Sequence, residues 1–265
     1  MTTERYTHGH HESVLRSHSW RTIANSATYL EPHLHAGARV LDVGCGPGTI
    51  TAELADRVGP DGSVAGIDAS ADVIARASAT MARDNLSLAV GDVYQLDFDD
   101  DTFDIVHAHQ VLQHLADPVA ALAEMRRVCK PGGLVAARDS DYPTMAWHPQ
   151  PPEFAEWLEL YMSVTRSNGG HPDAGRRLLS WAQAVGFTDP TPSASAWCFA
   201  TPSERDWWAG LWADRVIESS LAEQAVSGGF ATPDDLERLS VAWRQWAAHP
   251  DAWFAMLHGE ILAVA

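Results

Sequence analysis

Short apolar runs alternate with amphipathic stretches along the first half of the chain. Arg39-Val40-Leu41-Asp42-Val43 reads as a buried strand, and Ile50, Leu54 and Val58 then recur at four-residue steps, a helical spacing. Gly59-Pro60-Asp61-Gly62 makes a turn before a second strand at Ser63–Asp68 and an alanine-rich helix at Ala71–Arg83. Leu86–Val90 is a third strand, and Phe103–His109 a fourth after the acidic loop Asp97–Thr102. Val119–Val128 is a helix ended by Lys130-Pro131-Gly132-Gly133, and Leu134–Arg138 is a fifth strand. Strands alternating with helices predict a parallel sheet covered on both faces, because each parallel neighbour needs a crossover. Ligands of such sheets lie beyond the carboxyl ends of the strands, so the residues to inspect are Asp42–Gly48, Asp68, Gly91–Val93, His107–Gln110 and Asp139–Tyr142.

The flanks follow other rules. From Ser13 to Leu34, Trp20, Ile23, Ala24, Ala27 and Leu30 repeat at helical steps, with Ser19 a cap or kink point. Past Tyr142 the prolines 143, 149, 151 and 152 stiffen the connection. Phe154–Thr165, Asp173–Val185, Glu204–Gln224 and Pro233–Ala248 read as helices, Ser195–Ala200 and Trp253–Val264 as strands. The expected division is an N-terminal helical segment at 1–36, a ligand-binding core at 37–142 and a remainder at 143–265. That remainder combines the rest of the sheet with a helical cap, mainly 143–175 and 201–250.

Composition narrows the partners. With 18 basic and 35 acidic residues the formal charge is −17, which repels phosphate backbones and anionic lipid surfaces. Nucleic-acid and membrane partners are therefore not expected. The three cysteines, Cys45, Cys129 and Cys198, have neither metal nor CxxC spacing, and the N-terminus lacks an apolar signal core, so a reduced cytoplasmic setting is the simple reading. His8-Gly9-His10-His11 is read as a polar terminus rather than a metal site. Ten of the eleven tryptophans follow residue 145, which sets the second half of the chain apart.

The turn Gly44-Cys45-Gly46-Pro47-Gly48 lets the backbone approach a ligand, in front of a helix start that favours polar groups. A dinucleotide fingerprint, GxGxxG, would need glycine where Thr49 stands. Asp68, at the next strand end, suits the ribose of either a nicotinamide or an adenosine cofactor. At Val40–Thr49, Gly66-Ile67-Asp68-Ala69-Ser70, Gly91-Asp92-Val93, His109–Leu115 and Arg127–Gly133 the chain resembles the class I S-adenosylmethionine-dependent methyltransferases, most closely the ubiquinone/menaquinone-biosynthesis type and related small-molecule enzymes. The resemblance covers about residues 20–140. It implies a Rossmann-like, doubly wound α/β sheet of about seven strands, the last antiparallel, with the tryptophan-rich cap inserted late. It also implies S-adenosyl-L-methionine as cofactor. Gly44, Cys45, Gly46 and Thr49 would surround its tail, with Asp42 either orienting the turn, approaching the cofactor amine or serving as structural support, and Arg21 closing over the cofactor. Asp68 and Ala69 would take its ribose, and Gly91, Asp92 and Val93 its adenine, with His109 at the border.

In-line methyl transfer depends chiefly on alignment, and a base is needed only where the acceptor must lose a proton. His107 and His109 point to one side of their strand, but no metal is expected. His114 and Asp139 are the candidate bases, with Tyr142 a substrate contact and Tyr6 a further closing residue. The tryptophans suit core packing in the cap and equally an aromatic or hydrophobic small-molecule acceptor. The expected function is methylation of such an acceptor by a monomer or homodimer. The alternatives are a nicotinamide-dependent oxidoreductase, disfavoured by the glycine spacing, and a catalytically idle cofactor-binding protein.

Overall fold

The computed structural model describes residue 7 and residues 12–265, with side chains from Arg16 onward in the first helix. Tyr6 and the His8–His11 cluster lie outside the described residues. Helices α1 (Glu12–Ser19) and α2 (Ile23–Ser26) lead into the sheet through a 3₁₀ turn at Glu31–His33. The sheet and its crossovers then run β1 (Arg39–Val43), α3 (Thr49–Val58), β2 (Ser63–Asp68), α4 (Ala71–Thr80), β3 (Leu86–Val90), β4 (Phe103–His109), α5 (Pro118–Val128) and β5 (Cys129–Ser140). β6 (Ala146–His148), α6 (Pro152–Ser167), α7 (Ala174–Val185) and β7 (Thr188–Phe199) follow. The chain closes with α8 (Pro202–Glu218), α9 (Ser220–Ser227), α10 (Pro233–Ala247) and β8 (Trp253–Val264).

β3, β2, β1, β4 and β5 pair in that order and in parallel. β8 enters antiparallel to β5 and pairs on its far side with β7, while β6 pairs with the first three residues of β8. Among the described residues the sheet therefore has eight strands, one more than expected, and β8 alone runs against the rest. One apolar cluster lies between the sheet, α2 and α3, and a second between the sheet, α5 and α7. The third is aromatic: Phe154, Trp157, Trp212, Trp243 and Phe254 are buried, with Trp157 4.6 Å from Trp212 and 4.8 Å from Trp243. α8, α9 and α10 form the insertion between β7 and β8. Among the described residues no helix is long and apolar enough to cross a membrane.

Three expectations change. The helical pattern at Ser13–Leu34 is broken after Ser19, because Thr22 restarts it with a reciprocal cap: its hydroxyl accepts from Asn25 N and its own N–H donates to Asn25 Oδ1 at 2.9 Å. Glu204–Gln224 is likewise two helices, divided where Ser219 caps α9. β7 begins at Thr188 rather than Ser195. Pro190 and Pro192 interrupt the apolar pattern there, yet both are tolerated because β7 is an edge strand with one unpaired side.

α7 is clamped onto β8 by two glycines. A Cβ built at Gly259 would lie 2.0 Å from the Gly175 carbonyl oxygen, and one at Gly175 would lie 2.7 Å from the Gly259 nitrogen. Backbone cannot yield as a side chain can, so Gly259→Ala should lose about 3 kcal/mol or more in urea unfolding. Gly210→Ala, in α8 with open space around it, should instead gain about 0.5–1 kcal/mol. Equal effects of the two substitutions would contradict the clamp.

Candidate active site

The glycine turn leaves β1 with Gly44, Gly46 and Gly48 all at positive φ (66°, 54° and 81°). A side chain at Gly46 would meet only His18 Nδ1, 3.9 Å away, so its backbone faces open space. Gly44 is different: a Cβ there would lie 2.4 Å from Val111 Cγ2, which seats the loop after β4 directly on the turn. Asp68, half-buried at the end of β2, fastens the turn from the other side. Its Oδ2 accepts from Gly46 N at 3.1 Å and its Oδ1 from Ser70 N at 2.9 Å. Each oxygen retains a second lone pair. Ala69 and Asp92 are exposed and Val93 half-buried beside them; Asp92 Oδ1 accepts from Tyr94 N at 2.9 Å. Gly91 packs against Ile67.

Other cofactor candidates face inward. Asp42 is 3% exposed, and both oxygens are engaged, by Thr51 Oγ1 at 2.6 Å and His107 Nδ1 at 2.8 Å. In this arrangement it ties α3 and β4 to β1, which makes it a support for the turn. Burial raises the Cys45 thiol well above its ordinary value, with Asp42 and Asp68 adding to the shift, while its N–H donates to Ile67 O. Thr49 donates through its hydroxyl to His18 O at 3.4 Å, joining the start of α3 to the N-terminal segment.

A cavity opens beside the turn. Ser17, His18 and Arg21 of the N-terminal segment roof it, and Gln110 and His114 from the end of β4 line its floor. Tyr142, Trp197 and Met256 contribute walls, with Trp208, Trp212 and Arg215 from α8. Its volume, about 20 Å³, is that of a single water. Arg21 reaches it by donating from Nη2 to Gln110 Oε1 at 2.7 Å. That fixes the Gln110 amide, whose Nε2 therefore donates to His258 Nε2 at 2.8 Å. The same reasoning applies at Gln113. Its Oε1 accepts from Ser140 N at 3.0 Å, so its Nε2 donates to His114 Nε2 at 3.0 Å. His114 thus carries its proton on Nδ1. Burial, with Arg21 nearby, pushes its pKa down to about 3, so it is neutral at pH 7.

Beneath the cavity a polar row crosses one face of the sheet. Strand register sets His109 beside Arg138, Arg138 beside Glu260, and Ser140 beside His258. Arg138 Nε donates to Ser195 Oγ at 3.1 Å and Glu260 Oε1 at 3.2 Å, and its guanidinium lies 5.1 Å from the Trp197 ring centre. Burial lowers its pKa to about 10. His109 is buried, 5.9 Å from Trp197 and 6.3 Å from His258 between ring centres, and lines neither the turn nor the cavity. Burial holds it neutral, with Arg21 and Arg138 reinforcing the shift. Asp139 is wholly buried; Oδ1 accepts from Gln113 N at 3.0 Å, and burial raises its pKa to about 7. It does not line the cavity, and its link to the cavity wall is the bond from Gln113, the residue before His114.

The sequence reading passed over Arg138, Trp197, Arg215 and His258, and held Gln110 only as a strand-end position. Arg138 had a signal, since alternation on β5 puts Ala136, Arg138 and Ser140 on one face. Arg215 stands three residues after Trp212, on the same face of α8, and its guanidinium lies 4.6 Å from that ring.

This doubly wound sheet with a glycine turn, a strand-end acid and an adjoining aromatic cavity belongs to the donor-binding Rossmann-like class. The chain belongs to the methyltransferases: the family described as "Methyltransferase domain" matches residues 34–192. It is 36% identical over 271 residues to an uncharacterized methyltransferase of Schizosaccharomyces pombe, covering 97% of this chain and 95% of that one. A demethylmenaquinone methyltransferase of Staphylococcus aureus is 38% identical over 156 residues, 58% of this chain and 62% of that one. In fold it resembles phosphoethanolamine N-methyltransferase 2 of Haemonchus contortus, solved with phosphomonomethylethanolamine and S-adenosylhomocysteine, at TM-score 0.54 and 19% identity over 89% of this chain and 52% of that one. The protein is an S-adenosylmethionine-dependent methyltransferase. The residues present fit that donor: Gly46 leaves room for it, and Asp68 keeps lone pairs for a ribose.

Asp68→Ala removes the fastening of Gly46 and the lone pairs left for a ribose. S-adenosylhomocysteine affinity should fall at least tenfold by calorimetry, about 1.4 kcal/mol; unchanged affinity would remove Asp68 from the site. Asp139 supplies a pH signature. Its folded pKa lies above the unfolded one, so its contribution to stability is full below about pH 4 and is lost as pH rises through about 7. Asp139→Asn, which keeps an acceptor for Gln113 N–H, should flatten the fall in stability across that window; an unaltered slope would show that another group causes it.

Proposed function

We propose that the protein methylates a small aromatic or hydrophobic acceptor bound between the glycine turn and the tryptophan-rich cap. The observation that carries this reading is the seat of Val111 on Gly44. It makes the donor turn and the acceptor cavity two sides of one segment, Gln110–His114, so a donor on the turn and an acceptor in the cavity would be adjacent. S-adenosylmethionine supplies an electrophilic methyl group. The chain's own contribution is to hold an acceptor against it and exclude water, which can be worth on the order of 7–11 kcal/mol.

Gly44, Gly46, Thr49, Asp68 and the Gly91–Val93 strand end would hold the donor, with Asp42 setting the turn. Trp197, Trp208, Trp212 and Tyr142 offer flat apolar surface to an acceptor. His114, with its lone pair committed to Gln113, serves in this reading as an Nδ1–H donor that orients the acceptor. Removal of a proton, where the acceptor requires it, falls in this reading to Asp139, which does not line the closed cavity and is joined to its wall through the N–H of Gln113, next to His114. The roof over the cavity must lift to admit an acceptor. Its ties to the cap include Arg16 with Asp214 at 2.6 Å at the surface, Ser17 accepting from Arg215 Nη2 at 2.9 Å, and Trp20 packed 5.2 Å from Trp207.

Incubation with methyl-labelled S-adenosylmethionine and a panel of phenols, quinols and aromatic acids should give labelled product. Asp139→Asn should lower kcat at least tenfold for a phenolic acceptor with little change in donor affinity. Label transfer to none of the panel would contradict the acceptor class, and normal turnover in the variant would reject Asp139 as the base.

A further inference from the structure

We infer that His18 is a donor-binding residue supplied by the roof, and that a donor held against it seats the roof; this rests on the donor lying on the glycine turn. His18 stands in the last turn of α1 and belongs to two places at once. It lines the cavity with Ser17 and Arg21. Its Nδ1 is also 3.9 Å from the position that a Cβ on Gly46 would take. Apart from the adjoining residues of the turn, no other atom of the described residues comes within 4 Å of that position. The strip over Gly46 is therefore bounded across the gap by this ring. The backbone of the same residue reaches the start of α3, where His18 O accepts from Thr49 Oγ1 at 3.4 Å.

These two flanks suit the tail of S-adenosylmethionine, which carries a carboxylate and an ammonium group. The start of α3 favours the carboxylate. An imidazole nitrogen donates to a carboxylate or accepts from an ammonium, according to its tautomer. His18 is half-buried and has contacts beyond these, so it is not a loose surface side chain. Its bond from Thr49 is long for a hydroxyl donor, which leaves the roof's hold on the turn slack at that point. A ligand in the strip adds to that hold. Ligands shift a two-state element only by their differential affinity for the two states. A donor on the turn meets His18 only while the roof is down, so donor binding favours the seated roof. The effect passes to the cavity in two bonds: Arg21 N donates to His18 O at 3.1 Å, and Arg21 Nη2 donates to Gln110 Oε1 at 2.7 Å.

Calorimetry with S-adenosylhomocysteine and amide hydrogen exchange test this without an acceptor. His18→Ala should weaken S-adenosylhomocysteine about fivefold or more, the size expected of one hydrogen bond to a charged group. His18→Asn, whose amide stands near the place of the Nδ1 edge, should stay within about twofold of wild type. Alanine is the better helix former, so a loss of α1 stability alone would rank the two variants the other way. In the wild-type protein S-adenosylhomocysteine should slow exchange at residues 17–22 about fivefold or more, the Arg21 amide included. In His18→Ala at saturating S-adenosylhomocysteine that slowing should be absent. Wild-type affinity in His18→Ala, an equal loss in both variants, or roof exchange unchanged by S-adenosylhomocysteine in the wild type would overturn the inference. The wild-type exchange comparison stands whether or not the variants fold. Asp68→Ala titrated alongside separates the two failures. Unchanged affinity there as well would take the donor off the turn, whereas a loss there with none in His18→Ala would exclude His18 alone.

Discussion

One side chain holds the parts of this molecule in register. Gln110 ends β4 in the left-handed region, with φ at 54°, a conformation that costs a non-glycine residue on the order of 1–3 kcal/mol. Three hydrogen bonds offset it: its N–H donates to Arg138 O at 2.7 Å, its Oε1 accepts from Arg21, and its Nε2 donates to His258. Those bonds join the N-terminal segment, β4, β5 and β8 at one point. The turn they enforce throws Val111 onto Gly44 and His114 into the cavity wall. The glycine turn and the cavity are neighbours because this residue is bent there.

The electrostatics divide in the same place. The surface is acidic, whereas the interior behind Gln110 collects Arg21, Arg138, Arg215 and four histidines, His107, His109, His114 and His258. Burial keeps His109, His114 and His258 neutral, so positive charge there rests on the arginines. The aromatic cap serves two purposes with one set of residues. Trp157 and Trp243 are core, while Trp208 and Trp212 pack into that core on one edge and face the cavity on another. Such a wall is stiff, because moving either ring disturbs the stack behind it.

Much of the fold was legible. β1 to β5 announced themselves because strands buried on both faces read as short apolar runs between helical periods. The glycine turn and Asp68 were legible because their chemistry is carried by residue types that few other positions require. Where the reading fell short, local chemistry overrode periodicity. Thr22 and Ser219 cap new helices inside patterns that looked continuous, and β7 extends through two prolines that an edge strand tolerates. Asp42 could be read as a cofactor contact or as a support of the turn, and the choice needed three-dimensional contact, which shows Thr51 and His107 taking both its oxygens. Arg215 was hidden for a similar reason: on a helix an arginine usually marks the solvent face, and the partners that bury this one, Ser17 and Trp212, come from α1 and from the turn before it.

In the proposed arrangement donor and acceptor sites share the segment Gln110–His114. Amide hydrogen exchange with and without S-adenosylhomocysteine tests it directly. Slowed exchange at residues 44–49, 68–70 and 91–93 together with 109–114 is the expected result. Protection confined to other parts of the chain, or at the glycine turn with none at 109–114, would contradict it.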